Sequence, residues 1–231
     1  MDSETLKNIL LIAPVLLFSM VAHEYAHGYA ALRQGDPTAY ELGRLTWNPA
    51  KHIDPFMTII MPAVMLLASG GTMALGGAKP VPVDPRNYRD YRRGDIIVSL
   101  AGVATNFVIA LACTLLILLL GLAGSIAPGL EATLSLAQYM MFLGVSINMA
   151  LIFFNLLPIP PLDGSHVMKY LLPPAWSLRY QQIGAYGFVI LIVLISVGRP
   201  VLSAWMSPAW AITRGLVGSV ARFIIPGQWP V

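Results

Sequence analysis

The run His23-Glu24-Tyr25-Ala26-His27 carries the densest chemistry in the chain. On a helix, positions i and i+4 share a face, so both imidazoles can reach one metal ion. Glu24 stands one position after His23 and can reach a water held by that metal. Two nitrogen ligands and a general base at this spacing are the parts of a metal-assisted peptide hydrolysis. The pattern lies in an apolar run, Ile9 to about Leu32, where ionisable groups are expensive and by default mark function. Two other readings compete: a set of polar side chains that satisfy one another between helices, and a proton or ion relay.

A catalytic zinc takes three protein ligands and leaves a fourth position for water. Cys113 is the single cysteine, so neither a disulfide nor a cysteine-based zinc site can form. Cys113 itself reads as a small core residue. Most of the 11 acidic residues lie in the N-terminal stretch or in polar loops. Asp163 differs. It ends the run Asn155-Leu156-Leu157-Pro158-Ile159-Pro160-Pro161-Leu162-Asp163, which follows a long apolar helix. The prolines break that helix at membrane depth or at its edge, and Gly164 lets backbone approach closely. Asp163 is the candidate third ligand.

The elements that must hold these residues are membrane elements. Of 231 residues, 57% are hydrophobic and 11% charged, where a soluble domain has about 25% charged. Mean hydropathy is +0.71. A spanning helix needs about 20 mostly apolar residues. Ile9 to about Leu32, Ile96 to Leu122 and Leu136 to Leu157 meet this, and Ile183 to Val197 is shorter but strongly apolar. No small-residue cleavage site follows the first run, so it is expected to be retained. Val201 to Ile225 is interrupted by Pro208, Arg214 and Arg222, and reads as an interfacial or loosely packed helix. The expected fold is an all-α polytopic membrane protein with about four to six transmembrane or re-entrant helices and short membrane-edge strands. A single membrane-embedded domain covers 1–231, with a catalytic core over about 8–172 and C-terminal helices over about 181–225. No polar stretch is long enough for a separate soluble domain.

Basic residues set the orientation. They cluster in 31–52, 76–95 and 166–182, whereas 123–135 has none. The positive-inside rule places the first three in the cytoplasm and the last outside. The irregular apolar stretch 55–75 then has cytoplasmic loops on both sides and is expected to re-enter, with Gly70-Gly71 near its bend; one full span that breaks the charge rule is the alternative. Ala39–Pro49 alternates roughly. Lys79-Pro80-Val81-Pro82-Val83 must be extended, since its prolines forbid helix. Both are candidate short strands, and the second is a candidate edge for an unwound substrate segment; two ordinary loops are the alternative. The net charge of +3, without a basic run, gives no sign of nucleic-acid binding.

HEYAH and the later NLLPIPPLDG resemble the two signature elements of the site-2 protease family. NPAKHIDPF (Asn48–Phe56), GGAKPVPVDPRNYR (Gly76–Arg89) and AGVATNF (Ala101–Phe107) are similar to its compact prokaryotic branch without a PDZ domain. The resemblance covers roughly residues 15 to 170. It implies an intramembrane zinc metalloprotease: one zinc ion on His23, His27 and Asp163, and Glu24 as the base that activates water. It also places Asn106 at the active site, where an amide can donate to the scissile carbonyl as negative charge develops; a helix–helix hydrogen bond is the other reading of Asn106. Val103 stands where the family usually has proline. His52, Asn155 and His166 are candidates for supporting positions around the zinc site, and His166 is also a candidate alternative ligand. Loop capping for His52, a headgroup contact for His166 and backbone bonding for Asn155 are equally open. The implied partners are transmembrane protein substrates and the lipid bilayer. The implied location is the plasma membrane, with the active site toward the cytoplasm. Substrate identity and oligomeric state are not written in these residues.

Overall fold

The structure is a computed structural model that describes residues 3–60 and 76–226. Its regular elements are helical. α1 spans Ser3–Gln34 and stops at Gly35, whose φ of 112° takes the left-handed conformation that commonly ends a helix. A single turn, α2, covers Thr38–Glu41. α3 runs Tyr91–Ile126 and α4 Glu131–Asn155. α5 is Asp163–Leu171, and α6, Pro174–Ile183, begins on a proline, where the missing N–H costs nothing. α7 is Gly187–Ser196 and α8 Arg199–Ser219.

Among the described residues, four stretches are long and apolar enough to cross a membrane: Leu10–Gln34, Tyr91–Ile126, Glu131–Asn155 and Pro174–Ser196. They match the four expected spans. The fourth is longer than its apolar run, because the more polar α6 leads into α7. Along α3, Val108, Leu111, Leu115, Leu119 and Leu122 are exposed while Ala110, Cys113 and Ile117 are buried. A helix apolar on both its inner and outer faces belongs in lipid.

By its contacts the chain divides into two compact units, Met1–Ser19 with Val103–Val231, and Met20–Gly102. In the first unit the core joins Ala110, Cys113 and Ile117 of α3, Val145, Met149 and Ile152 of α4, Ala209 of α8, and Val220. Their helical spacing makes one stripe on each helix. Cys113 takes the small-core position expected of it. Two buried amide side chains of this unit donate hydrogen bonds. Asn148 donates its amide to the Ser19 hydroxyl at 2.9 Å and to the Gly144 carbonyl at 2.8 Å. Gln138, fully buried, donates to the Ile117 and Phe223 carbonyls at 2.8 and 2.9 Å, and its oxygen accepts the Ile225 N–H at 2.9 Å.

The C-terminal stretch forms α8, most of whose residues are exposed, as an interfacial or loosely packed helix would be; it buries Ala209 and Thr213, and Trp205 donates its indole N–H to the Phe153 carbonyl at 2.7 Å. One expectation is corrected: the short edge strands do not form among the described residues. Ala39 falls in α2, and the backbone after it turns back so that the Arg44 N–H reaches the Ala39 carbonyl at 2.8 Å. Residues 78–83 take no helix and lie in no ladder, because Pro80 and Pro82 bring no N–H to it. The re-entrant stretch 55–75, with its bend at Gly70-Gly71, lies mostly outside the described residues; Pro55–Ile60 forms a π-helical turn.

Gln138→Ala is expected to lower stability by about 2 kcal/mol, since it strands buried backbone groups on Phe223 and Ile225. Thermal unfolding in detergent, with amide exchange over 223–225, would register the loss.

Candidate metal centre

In the unit Met20–Gly102, one helical turn brings the two histidines of α1 together. Their Nε2 atoms lie 3.0 Å apart, with the rings edge to face at 79°. His27 Nδ1 stands 2.7 Å from the Val98 carbonyl oxygen. A carbonyl can only accept, so Nδ1 carries the proton and Nε2 keeps its lone pair. Metal-ligating histidines are oriented by such a bond from the other ring nitrogen. His23 is buried and its ring lies flat against Gly102. A Cβ at residue 102 would sit 2.5 Å from His23 Cε1 and 2.6 Å from both ring nitrogens. Only glycine leaves room for the ring there. Two imidazole nitrogens that converge, one with its proton already committed, suit a zinc ion.

Glu24 turns to another partner. Its Oε2 accepts the Val81 N–H at 2.7 Å. Val81 is buried within the extended segment, while Lys79, Pro80 and Val83 are exposed and Pro82 is half-buried. The segment is tied along its length. The Thr58 hydroxyl donates to the Gly77 carbonyl at 2.7 Å, and the Lys79 N–H donates to the His52 carbonyl at 2.8 Å. Arg44 donates to the Lys79 carbonyl at 3.0 Å. His52 is buried, and its Nε2 donates to the Thr46 carbonyl at 2.9 Å. Its ring therefore folds the 46–52 loop, and its backbone receives the segment.

Asp36 is fully buried just beyond α1. Its Oδ2 accepts the Asp84 N–H at 2.7 Å; its Oδ1 accepts from Asn87 Nδ2 at 2.9 Å and from the Thr38 N–H at 3.1 Å. Burial pushes this carboxyl up, but the bonds from Asn87, Thr38 and the Asp84 amide outweigh it and hold the group below the usual carboxylate value. Neither Asp36 nor Gly102 stands out in the sequence as a site residue. The only signal would be a residue pattern at 84–87 matched to Asp36, and a glycine one turn before Asn106.

In the other unit, Asp163 opens α5, where the helix N-terminus favours a carboxylate. A Cβ at Gly164 would lie 2.3 Å from the Leu156 carbonyl oxygen, so the expected close backbone approach is real. The 156–165 bend is held by short-range bonds, among them the Leu162 N–H to the Ile159 carbonyl at 2.9 Å. His166 is half-buried one turn after Asp163. Asn155 spends its amide on the Leu151 carbonyl at 2.9 Å, within its own helix. Asn106 is fully buried on α3.

Spanning helices that carry a His-Glu-x-x-His turn with a pre-oriented imidazole define a membrane-embedded zinc metalloprotease. The family model for peptidase family M50, the site-2 proteases, matches residues 11–195, and the chain belongs to that family. Among relatives, YwhC of Bacillus subtilis is 36% identical over 78% of this chain and 77% of its own length. Rip2 of Mycolicibacterium smegmatis is 36% identical over 85% of this chain and 70% of its own. The names of both assign them provisionally to the zinc metalloproteases. No solved structure matches the chain significantly. The protein is thus a zinc metallopeptidase of a multi-pass membrane family.

Two outcomes are expected. Gly102→Ala should displace the His23 ring and lower zinc content and proteolysis by about tenfold or more, read by metal analysis of the purified protein. Asp36 adds stability above the ordinary carboxylate value of 3.8, which is lost as pH falls through its depressed folded value. Asp36→Asn should therefore flatten the acid arm of a thermal-stability profile below about pH 4.

Proposed function

We propose that this protein hydrolyses peptide bonds of transmembrane proteins near the cytoplasmic face of the plasma membrane. The observation that carries the reading is the His27 arrangement: Nδ1 committed to the Val98 carbonyl and Nε2 turned to His23 Nε2. His23, His27 and Asp163 each offer one ligand atom and would hold one zinc ion. When bound, zinc brings the pKa of its water toward about 7 and polarises a carbonyl.

The chain's own residues do the rest. Glu24 Oε2 is engaged by the Val81 amide, which leaves Oε1 for the proton of the attacking water. Glu24 takes that proton and returns it to the leaving amine. Asn106 donates its amide to the scissile carbonyl as charge develops. The Val98 carbonyl holds His27 in register while the charge moves. Lys79–Val83 is the edge along which an unwound substrate lies. The amides at 79 and 81 already have partners and Pro80 and Pro82 have none, so pairing there draws on the segment's carbonyl oxygens. His166, one turn past Asp163, supports that carboxylate, and His52 supports the segment.

Orientation rests on the basic residues of 31–52 and 76–95, which flank both His27 and the segment. The catalytic core lies over about 8–172. Water reaches the base from the cytoplasm.

The test is cleavage of a tagged transmembrane substrate by protein purified into liposomes, with zinc measured in parallel. Glu24→Gln should keep zinc and lose about 10²–10⁴ in kcat. Asp163→Ala should lose both zinc and activity. Full activity in Glu24→Gln, or full zinc in Asp163→Ala, would sink the assignment.

A further inference from the structure

The base of the reaction is touched by a backbone amide, and the way that amide is held points to a residue outside the motif. Val81 stands between Pro80 and Pro82. Each proline ring locks its own φ and forces the residue before it into extended geometry. Lys79 to Pro82 therefore has few soft torsions and behaves as a short rod of about 3 Å per residue. Where the ends of the rod are pinned decides where the Val81 N–H points.

The upstream end is pinned by the Lys79 amide on the His52 carbonyl. The downstream end is pinned by Asp36. Its carboxylate takes the Asp84 amide on one oxygen and the Asn87 side chain on the other, and it is itself seated by Thr38. Nearby, the Arg89 N–H donates to the Gln34 carbonyl at 2.9 Å. Asp36 lies just past the end of the helix that carries Glu24. Helix, carboxylate clamp, proline rod and Val81–Glu24 bond thus form a closed ring. Burying a carboxylate this deeply is costly unless it is fully bonded, and the bonds it makes go to the far end of the rod.

We propose that Asp36 is a positioning residue for Glu24: by clamping Asp84 and Asn87 it holds the Val81 amide against Glu24 Oε2, so that the other carboxylate oxygen is presented to water. This rests on the reading of Glu24 as the base. A carboxylate on a flexible side chain gains catalytic use from being held in one orientation, and Asp36 supplies that hold at a distance. Asp36 touches neither substrate nor the reacting atoms.

The test is a double-mutant cycle on the full chain in liposomes, with kcat, KM and zinc content read together. Asp36→Ala removes the clamp, and Val81→Pro removes the amide donor of the rod while keeping an apolar side chain at that buried position. Each should lower kcat about tenfold with KM within about twofold, and zinc should stay at the wild-type level. The double variant should be no slower than the slower single, because both remove one device. Asp36→Asn, which keeps an acceptor oxygen, should recover part of the loss. If Asp36→Ala does not assemble, a cycle of Asn87→Ala with Val81→Pro reads the same coupling, since Asn87 donates to the same carboxylate. Multiplicative losses in the cycle, or an unchanged kcat in Asp36→Ala, overturn the assignment. Full activity in Glu24→Gln would instead remove the base itself and with it the proposed function, whatever the cycle shows.

Discussion

A polar group surrounded by hydrocarbon must find its hydrogen-bond partner inside the protein, because lipid offers none. Most of this chain meets the demand with helices. The informative places are those that do not. The Phe223–Ile225 backbone leaves helical geometry and is met by Gln138, a side chain with both donors and an acceptor. The 156–162 bend, where prolines remove donors, closes on its own carbonyls. The extended 77–84 segment is met by Thr58, His52, Arg44, Glu24 and Asp36. In the first two the partner serves only the fold. In the third, one of the partners is Glu24, the glutamate of the His-Glu-x-x-His turn.

That difference gives the site its character. A glutamate placed in an apolar helix needs hydrogen-bond donors for its carboxyl oxygens. The Val81 amide supplies a donor that carries no charge and cannot itself take the proton of the reaction. The same economy appears at His27. The Val98 carbonyl fixes the ring's proton on Nδ1 without adding a further charge beside the two histidines. Both devices are backbone groups, so their precision comes from how the surrounding chain is anchored rather than from the identity of the residue that offers them.

This bears on what could be read in advance. The four spans, the His23–His27 turn, the Asp163 bend and the close approach at Gly164 follow from local rules: hydropathy over one window, helical period, and proline and glycine chemistry. The non-helical course of 78–83 follows for the same reason, and Pro80 and Pro82 also favour the ordinary-loop alternative by denying a ladder its N–H groups. The buried positions of α8, Ala209 and Thr213, depend on a partner helix and carry no local signal. Asp36 and Gly102 were invisible for a deeper reason. Asp36 acts through residues 84 and 87 and Gly102 through residue 23, and no periodicity links such positions.

Val98 and Val81 could be other residues and still offer the same carbonyl and amide, so the chemistry at His27 and Glu24 is recorded at neither position. It is recorded in the residues that hold those strands of backbone still: the prolines at 80 and 82, the glycine under His23, and the buried carboxylate of Asp36. A motif of five residues can therefore name the reaction, while the geometry that makes the motif work is spread over the eighty or so residues between α1 and the middle of α3. In a bilayer this dispersal has a physical cause. Side-chain charges near the metal are costly in hydrocarbon, so orientation is delegated to neutral backbone dipoles, and the charged anchor for those dipoles is set beyond the end of the spanning segment, where Asp36 lies.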